Sequence, residues 1–398
     1  MPEYLAPGVF VEETSFQARS IEGISTGTAA FVGPTRKGPS GKRPPLLTSP
    51  ADFLHHYGSC SDLPYSMAPE LKRNHVAHAV QAFFANGGRR LYVARTRPNR
   101  TRTPPTPADY AAALETLRPL EEVSTLAAPG YSARWATDGA AWADIQTQLL
   151  AFIQQTGTYR FAVLDPPPGL SVDEVRSVRS KLDSSQAALY YPWVTVPNPL
   201  AGTSARQPQT INLPPSGFLC GIYAASDLQR GVSKAPANVP LLGALGPETA
   251  LNLAQQEVLN PEGINCLRMF EGRGFLVWGA RTLSSDPQWK YLNLRRYFNY
   301  LEGSIDRGTQ WVAFEPNGEV LWANVRRTIE DFLLNEWQNG GLLGSKPEEA
   351  YFVTCDRSTM TQADLDQGRL ICLIGVAPLR PAEFVIFRIG QWTADRSS

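Results

Sequence analysis

The 398-residue chain has no excess of charge of either sign: 37 Lys and Arg balance 37 Asp and Glu. A duplex-binding protein normally carries a basic face, so this balance argues against nucleic acid as a partner. It also removes long-range attraction to an anionic membrane. Long apolar runs are missing too. The longest, near Leu370–Leu379, falls far short of the roughly 20 residues a membrane helix needs. Met1–Glu13 has neither the basic nor the apolar region of a secretory signal, which predicts synthesis and folding in the cytosol. Cysteine is scarce: Cys60, Cys220, Cys266, Cys355 and Cys372, with no two in C-x-x-C spacing. An odd, scattered set reads as reduced thiols and not as a disulfide framework or a zinc site.

What is present is an ordinary globular composition, 43% hydrophobic and 10% aromatic. The length suits two or three domains with a large core. Val9-Phe10-Val11-Glu12-Glu13 reads as a strand isolated between breakers, with no hairpin partner in reach. A lone strand is unstable in water, so it must join a sheet elsewhere. Strands are predicted at Thr28–Gly33 and Arg90–Arg95, with a helix over Ala68–Ala85 stopped by Asn86-Gly87-Gly88. Gly, Pro, Lys and Arg make 33–45 an exposed loop.

Pro98 to Pro107 reads as a linker and domain boundary. Helices at Tyr110–Leu117 and Trp142–Gln155 then alternate with strands at Val123–Ala127, Arg160–Leu164 and Ala188–Val196, the pattern of an α/β layer. Ser171-x-x-Glu174 is a capping box. A second Pro-rich break covers Pro197–Pro215. Further on, strands are predicted at Gly274–Gly279, Trp311–Phe314, Leu370–Val376 and Glu383–Ile389, and a helix at Tyr291–Ile305. Glu319–Gln338 is an amphipathic helix with Trp322, Val325, Ile329, Phe332, Leu333 and Trp337 on one stripe.

Chemical motifs are weak. Gly23-Ile24-Ser25-Thr26-Gly27 matches the G-x-S-x-G hydrolase pattern but lacks the strand before and the helix after it, so it reads as a flexible linker. Gly41-Lys42 is followed by Arg43-Pro44-Pro45, which supplies neither the hydroxyl nor the helix of a phosphate loop. His75 and His78 could offer two metal ligands one turn apart, with His55, His56 and Cys60 upstream, but no further ligand pair stands out. A partly exposed helix face accounts for them. Glu12-Glu13, Glu330-Asp331 and Glu348-Glu349 are adjacent pairs that cannot face each other across a cleft. No cofactor, metal or catalytic residue is assigned.

Several stretches, in order, carry a family resemblance: Tyr4–Glu13, Ala79–Gly88 with Leu91–Arg95, Gly221–Asp227 through Lys234–Asn238, Gly263-Ile264-Asn265, Trp278–Thr282, Leu294-Arg295-Arg296, Phe314-Glu315-Pro316-Asn317 and Pro381–Phe387. Over nearly its whole length the chain resembles contractile tail sheath proteins. The resemblance implies a mixed α+β sheath core with an inserted α/β region and arms at both ends. The divisions are 1–25 arm and linker, 26–97 first part of the core, 98–215 outer region, 216–380 second part of the core, and 381–398 terminal arm.

It implies a structural homopolymer of stacked helical hexameric rings around an inner tube, contacting baseplate and cap proteins, with no active site, no nucleic acid and no membrane insertion. A baseplate or tail-terminator component of the same machines, or an enzyme on the α/β region, is the alternative. The location implied is a phage tail or phage-tail-like particle made in the bacterial cytoplasm, with release outside the cell open. The implied inter-subunit arm residues are Val9, Phe10, Val11, Glu12, Phe384, Val385, Ile386, Phe387, Arg388 and Ile389, pairing with a neighbour's C-terminal sheet. Thr14–Ser25 would be a tether spanning up to ~40 Å. The charged face of the long helix, Arg326, Arg327, Glu330 and Asp331, is expected to meet the inner tube.

Overall fold

The computed structural model describes residues 20–65, 69–97, 103–155, 157–201 and 208–386. The first part of the chain forms β1 (Thr28–Gly33), β2 (Leu46–Leu47), α1 (Pro50–Tyr57), α2 (Pro69–Lys72), α3 (His75–Ala85) and β3 (Arg90–Arg95). Next come α4 (Pro107–Glu115), β4 (Thr125–Ala127), α5 (Gly139–Ile153), β5 (Phe161–Leu164), α6 (Val172–Arg179), β6 (Ala187–Tyr191), β7 (Val194–Pro197) and β8 (Thr210–Leu213). Then follow α7 (Ser216–Arg230), β9 (Gly246–Pro247), α8 (Leu253–Leu259), β10 (Ile264–Phe270) and β11 (Gly274–Trp278). The last part holds α9 (Leu292–Gly308), α10 (Glu319–Gln338), α11 (Pro347–Ala350), β12 (Tyr351–Thr354), α12 (Gln362–Asp366) and β13 (Leu373–Val376).

Eight strands form one sheet in the order β11-β10-β6-β5-β4-β1-β3-β2. Its inner pairs are parallel and both edge strands, β11 and β2, are antiparallel. Parallel strands are buried on both faces, which explains why β1 and β5 read as continuous apolar runs. Alternate side chains feed two cores. Ala29, Phe31, Leu91 and Val93 face α3 and α7, while Ala30, Val32, Tyr92 and Ala94 face α4 and α5. On the first face α3 and α7 lie close because Gly217 and Gly221 face α3. A Cβ at Gly221 would sit 2.4 Å from Phe83 O, and one at Gly217 2.6 Å from Ala79 Cα. A third core, separate from the sheet, joins α9 and α10 to β12 and β13 through Tyr297, Leu301, Trp322, Val325, Ile329, Leu333 and Val353.

Several expectations are corrected. Across the expected boundary at Pro98 the sheet itself continues, with β4, β5 and β6 beside β1. The run Ala188–Val196 breaks at Pro192, which has no N–H for a ladder. Its halves enter different sheets, β7 pairing with β8 and β9. The helix expected over 68–85 is divided at Asn74, whose side chain accepts from Ala77 N and starts α3. Trp311–Phe314 is not a strand. A 3-10 turn at Gln310–Val312 follows directly on α9, leaving no length to reach a sheet, and Phe314 lies exposed at φ +70°. The Ser171–Glu174 capping box is present, and α10 has the expected bounds.

Candidate functional site

In doubly wound sheets, ligands bind where the strand order reverses, beyond the strand carboxyl ends. Here that point lies between β1 and β4, and the space beside it is filled by Pro34, His75, Tyr110, Pro129 and Tyr131. The remaining cavity is about 30 Å³, on the order of one water. His75 and His78 are buried, not on a half-exposed face. Burial, with Arg73 nearby, pushes His78 down to about 4, and His75 packs edge-on against Trp193 at 5.6 Å. Among the described residues no group of three His, Cys, Asp or Glu could hold a metal ion, and no helix is long and apolar enough to cross a membrane.

The polar chemistry instead gathers where the chain enters and leaves the fold. Entry is fixed on α9. Ile21 is buried in the third core, and Ile24 N donates to Ser304 Oγ at 3.0 Å. Gly308 admits Ile21, since a Cβ there would lie 2.6 Å from Ile21 Cγ1. The expected linker Thr14–Ser25 is therefore held on α9 at Ile21 and Ile24, while Gly23 and Ser25 of the Gly23–Gly27 pattern stay exposed. The arm strand Val9, Phe10, Val11 and Glu12 lies outside the described residues.

The exit is fixed by Glu383. Its carboxylate receives Arg281 Nε at 2.8 Å and Nη2 at 2.7 Å, Asn260 Nδ2 at 2.8 Å and the Tyr291 hydroxyl at 3.3 Å. Lys290 Nζ stands 3.8 Å away. Burial raises the Glu383 carboxyl, but the hydrogen bonds from Arg281 and Asn260 outweigh it and hold it below the usual range. Two-pronged Arg–carboxylate pairs fix direction as well as distance. Beyond this anchor Phe384, Val385 and Ile386 are exposed and are not paired as a strand. Phe387, Arg388 and Ile389 lie outside the described residues. The strand expected over Glu383–Ile389 is thus absent from its described part, which has no partner strand among the described residues.

The sheet and the third core are tied by a second buried pair. Arg296 on α9 meets Asp227 on α7 through two bonds of 2.9 and 2.5 Å, and stacks over Tyr223 at 4.7 Å. β12 and β13 form a sheet of two strands only, and among the described residues neither strand has a second neighbour. Phe352 and Leu373 are exposed on it. One face is covered by α10, whose charged residues divide: Arg327 and Asp331 are exposed, while Arg326 and Glu330 are half-buried. Arg326 lies near Cys355 and Asp356, and Glu330 near Tyr351 and Cys372. The expected four-residue face is therefore split between solvent and the small sheet. Arg281 and Glu383 each lie in a stretch that carries the resemblance, but no local pattern in the sequence joins residues 102 apart as a pair.

The described residues thus present a filled crevice, anchors at Ile21 and Glu383 and an open two-stranded sheet. Residues 104–283 match the phage tail sheath protein central domain, and residues 284–391 match the phage tail sheath C-terminal domain. The chain belongs to the phage tail sheath family. A chain of the PVC sheath complex, an extracellular contractile injection system in its contracted state, is 32% identical with a TM-score of 0.77, covering 100% of this chain and 99% of that one. A chain in the baseplate structure of the anti-feeding prophage is also 32% identical, TM-score 0.73, covering 98% and 100%. The tail sheath protein of Vibrio phage KVP40 is 24% identical over 187 residues, 46% of this chain and 27% of that protein. The match thus spans about a quarter of the phage protein's length.

Proposed function

We propose that this chain is the repeating subunit of a contractile sheath that polymerises around an inner tube as stacked, helically offset hexameric rings. Contraction of the sheath drives the tube through a target envelope. The observation that carries this reading is end-to-end likeness to a chain of a contracted sheath complex. The likeness to a chain in a baseplate structure supports a baseplate partner. Synthesis is in the bacterial cytoplasm, and the particle acts outside it. Repetition of one heterologous contact with an axial offset gives an open helix. Contraction is the passage from a kinetically trapped packing to a more stable one, so the energy is stored at assembly.

The arms Val9–Glu12 and Phe384–Ile389 add as strands to a neighbour's β12–β13 sheet, main-chain hydrogen bonds giving strength and side-chain alternation giving register. Edges of that sheet left unpaired among the described residues, and exposed Phe384, Val385 and Ile386, support this. With Ile21 and Ile24 held on α9, the tether shortens to 14–20, reaching up to ~25 Å. The terminal regions 1–20 and 384–398 are the exchangeable parts, and Arg327 and Asp331 remain the tube-facing candidates. Removal of residues 1–19 tests the arm. A folded protein that no longer pellets as polymer is expected. Normal polymerisation and contraction of the truncated chain would overturn the assignment, and global unfolding would show that the arm pairs within its own subunit.

A further inference from the structure

Cys355 and Cys372 sit one residue beyond the ladder that joins β12 to β13. The register pairs Tyr351 with Val376, Phe352 with Gly375, Val353 with Ile374 and Thr354 with Leu373. One further step sets Cys355 opposite Cys372. Antiparallel pairs alternate between hydrogen-bonded and non-hydrogen-bonded kinds. Ala377 N donates to Ala350 O at 2.7 Å, which makes 351/376 non-hydrogen-bonded and 352/375 hydrogen-bonded. Continuing the alternation, 353/374 and 355/372 are non-hydrogen-bonded. In such pairs the Cα atoms are about 4.5 Å apart and the side chains approach closely. A disulfide accepts Cα separations of about 4.4–6.8 Å.

Both thiols are free, and each lies close enough to perturb the other's ionisation. They share the face that packs under α10, Cys355 fully buried and Cys372 half-buried. The other cysteines belong to the two cores around the large sheet: Cys60 and Cys220 on one face, Cys266 on the other.

We propose that Cys355 and Cys372 are a redox modification site, forming a reversible intramolecular disulfide that staples the open end of the β12–β13 sheet. The oxidant is a peroxide. The half-buried Cys372 is reached first. Its thiolate attacks one peroxide oxygen, giving a sulfenic acid and, for hydrogen peroxide, releasing hydroxide that is protonated to water. The Cys355 thiolate then attacks the sulfenic sulfur, forming the S–S bond and expelling a second hydroxide. In balance, two thiols and one hydrogen peroxide give one disulfide and two waters. A dithiol reductant reverses it.

Burial holds both thiols above the ordinary range, pushing Cys372 up to about 12. Because the thiolate is the nucleophile, the pair is dormant near neutrality, and oxidation accelerates with pH. The staple closes the excursion that carries α12, whose path is also held by Thr359 Oγ1 donating to Ile371 O at 2.8 Å. Its consequence for assembly, a stiffened acceptor for a neighbour's arm, rests on the proposed function. The disulfide itself does not.

The test oxidises the soluble full-length protein with hydrogen peroxide at several pH values, denatures it, alkylates with N-ethylmaleimide and maps tryptic peptides by mass spectrometry. Cleavage after Arg357 and Arg369 separates the two cysteines. The expected result is a linked peptide pair joining Cys355 to Cys372, lost on dithiothreitol treatment and in Cys372→Ser. Cys60, Cys220 and Cys266 should remain alkylated. The rate should rise roughly tenfold per pH unit below the thiol value. Full alkylation of both cysteines after oxidation, or links only between molecules, would overturn the site.

Polymer yield of oxidised against reduced protein tests the consequence separately. A change reversed by dithiothreitol supports it, and an equal yield overturns the effect on docking while the mapped site stands. Failure of the reduced protein to polymerise at all would count against the sheath reading alone.

Discussion

Replacing Glu383 by alanine should release the chain's exit without unfolding the subunit. The Arg281 side chain is 7% exposed and that of Glu383 19%. Removing one partner of a buried pair costs about 3–5 kcal/mol, because the other charge is left uncompensated. Arg281 keeps one acceptor, Asn260 O at 2.8 Å, so the lower end, about 3 kcal/mol, applies. A terminal segment can escape that penalty by lifting away and letting water reach Arg281. The loss should therefore appear as local opening.

Three kcal/mol corresponds to roughly 100-fold in an opening equilibrium. Hydrogen exchange at Glu383 N, bonded to Pro381 O in the folded chain, should quicken by about that factor. Leu343 N, which donates to Ala377 O, should be unaffected. The pH dependence has a definite sign. The folded carboxyl lies below its ordinary value. Its stabilisation is therefore present above the ordinary carboxylate range and is lost as pH falls through the folded value. Acidification should loosen the exit of the natural protein and leave Glu383→Ala unchanged. Unaltered exchange in Glu383→Ala, or additive effects of Glu383→Ala and Arg281→Met, would refute the reasoning.

Gly221→Ala should destabilise by about 1–3 kcal/mol in a denaturant titration, because its Cβ meets backbone at Phe83 O and overpacking outweighs the gain in helix propensity. Asp165 accepts Ser216 N at 2.9 Å and Ser216 Oγ at 2.6 Å, and burial raises its carboxyl from 3.8 to about 7. A raised acid stabilises the fold fully below 3.8 and loses that contribution as pH rises to about 7. Asp165→Asn should therefore raise the melting temperature relative to the natural chain at pH 8 but not at pH 4, with a ceiling on the order of 4 kcal/mol. Arg327→Glu with Asp331→Arg should alter the salt dependence of assembly on the inner tube, whereas Arg326→Glu should mainly destabilise the β12–β13 sheet, as read by melting of unassembled protein.

The elements that were legible in the sequence are those whose pattern is local. Ser171 and Glu174 announce α6, and the stripe Trp322–Val325–Ile329–Leu333 announces α10, because cap chemistry and helical period lie within a few residues. Long-range pairing leaves no such trace. Nothing near Pro98 shows that β4 will pair with β1, and nothing in Ala188–Val196 but Pro192 shows that one run serves two sheets. Trp311–Phe314 has strand composition, but its position straight after α9 denies it a partner. The same holds for the chain ends. The apolar Phe384-Val385-Ile386 run was legible as a strand-forming segment, whereas its anchor was not, because Arg281 and Glu383 meet only through the tertiary fold. Cys355 and Cys372 likewise become a pair only through the register of β12 and β13.

Electron microscopy of the purified full-length protein, alone and with an inner tube protein, tests the central claim most directly. Long hollow tubes or stacked six-fold rings are expected, with a helical reconstruction showing extra strands from neighbouring subunits beside β12 and β13. Monodisperse monomers under all conditions, or a polymer in which that two-stranded sheet stays unpaired, would contradict the account.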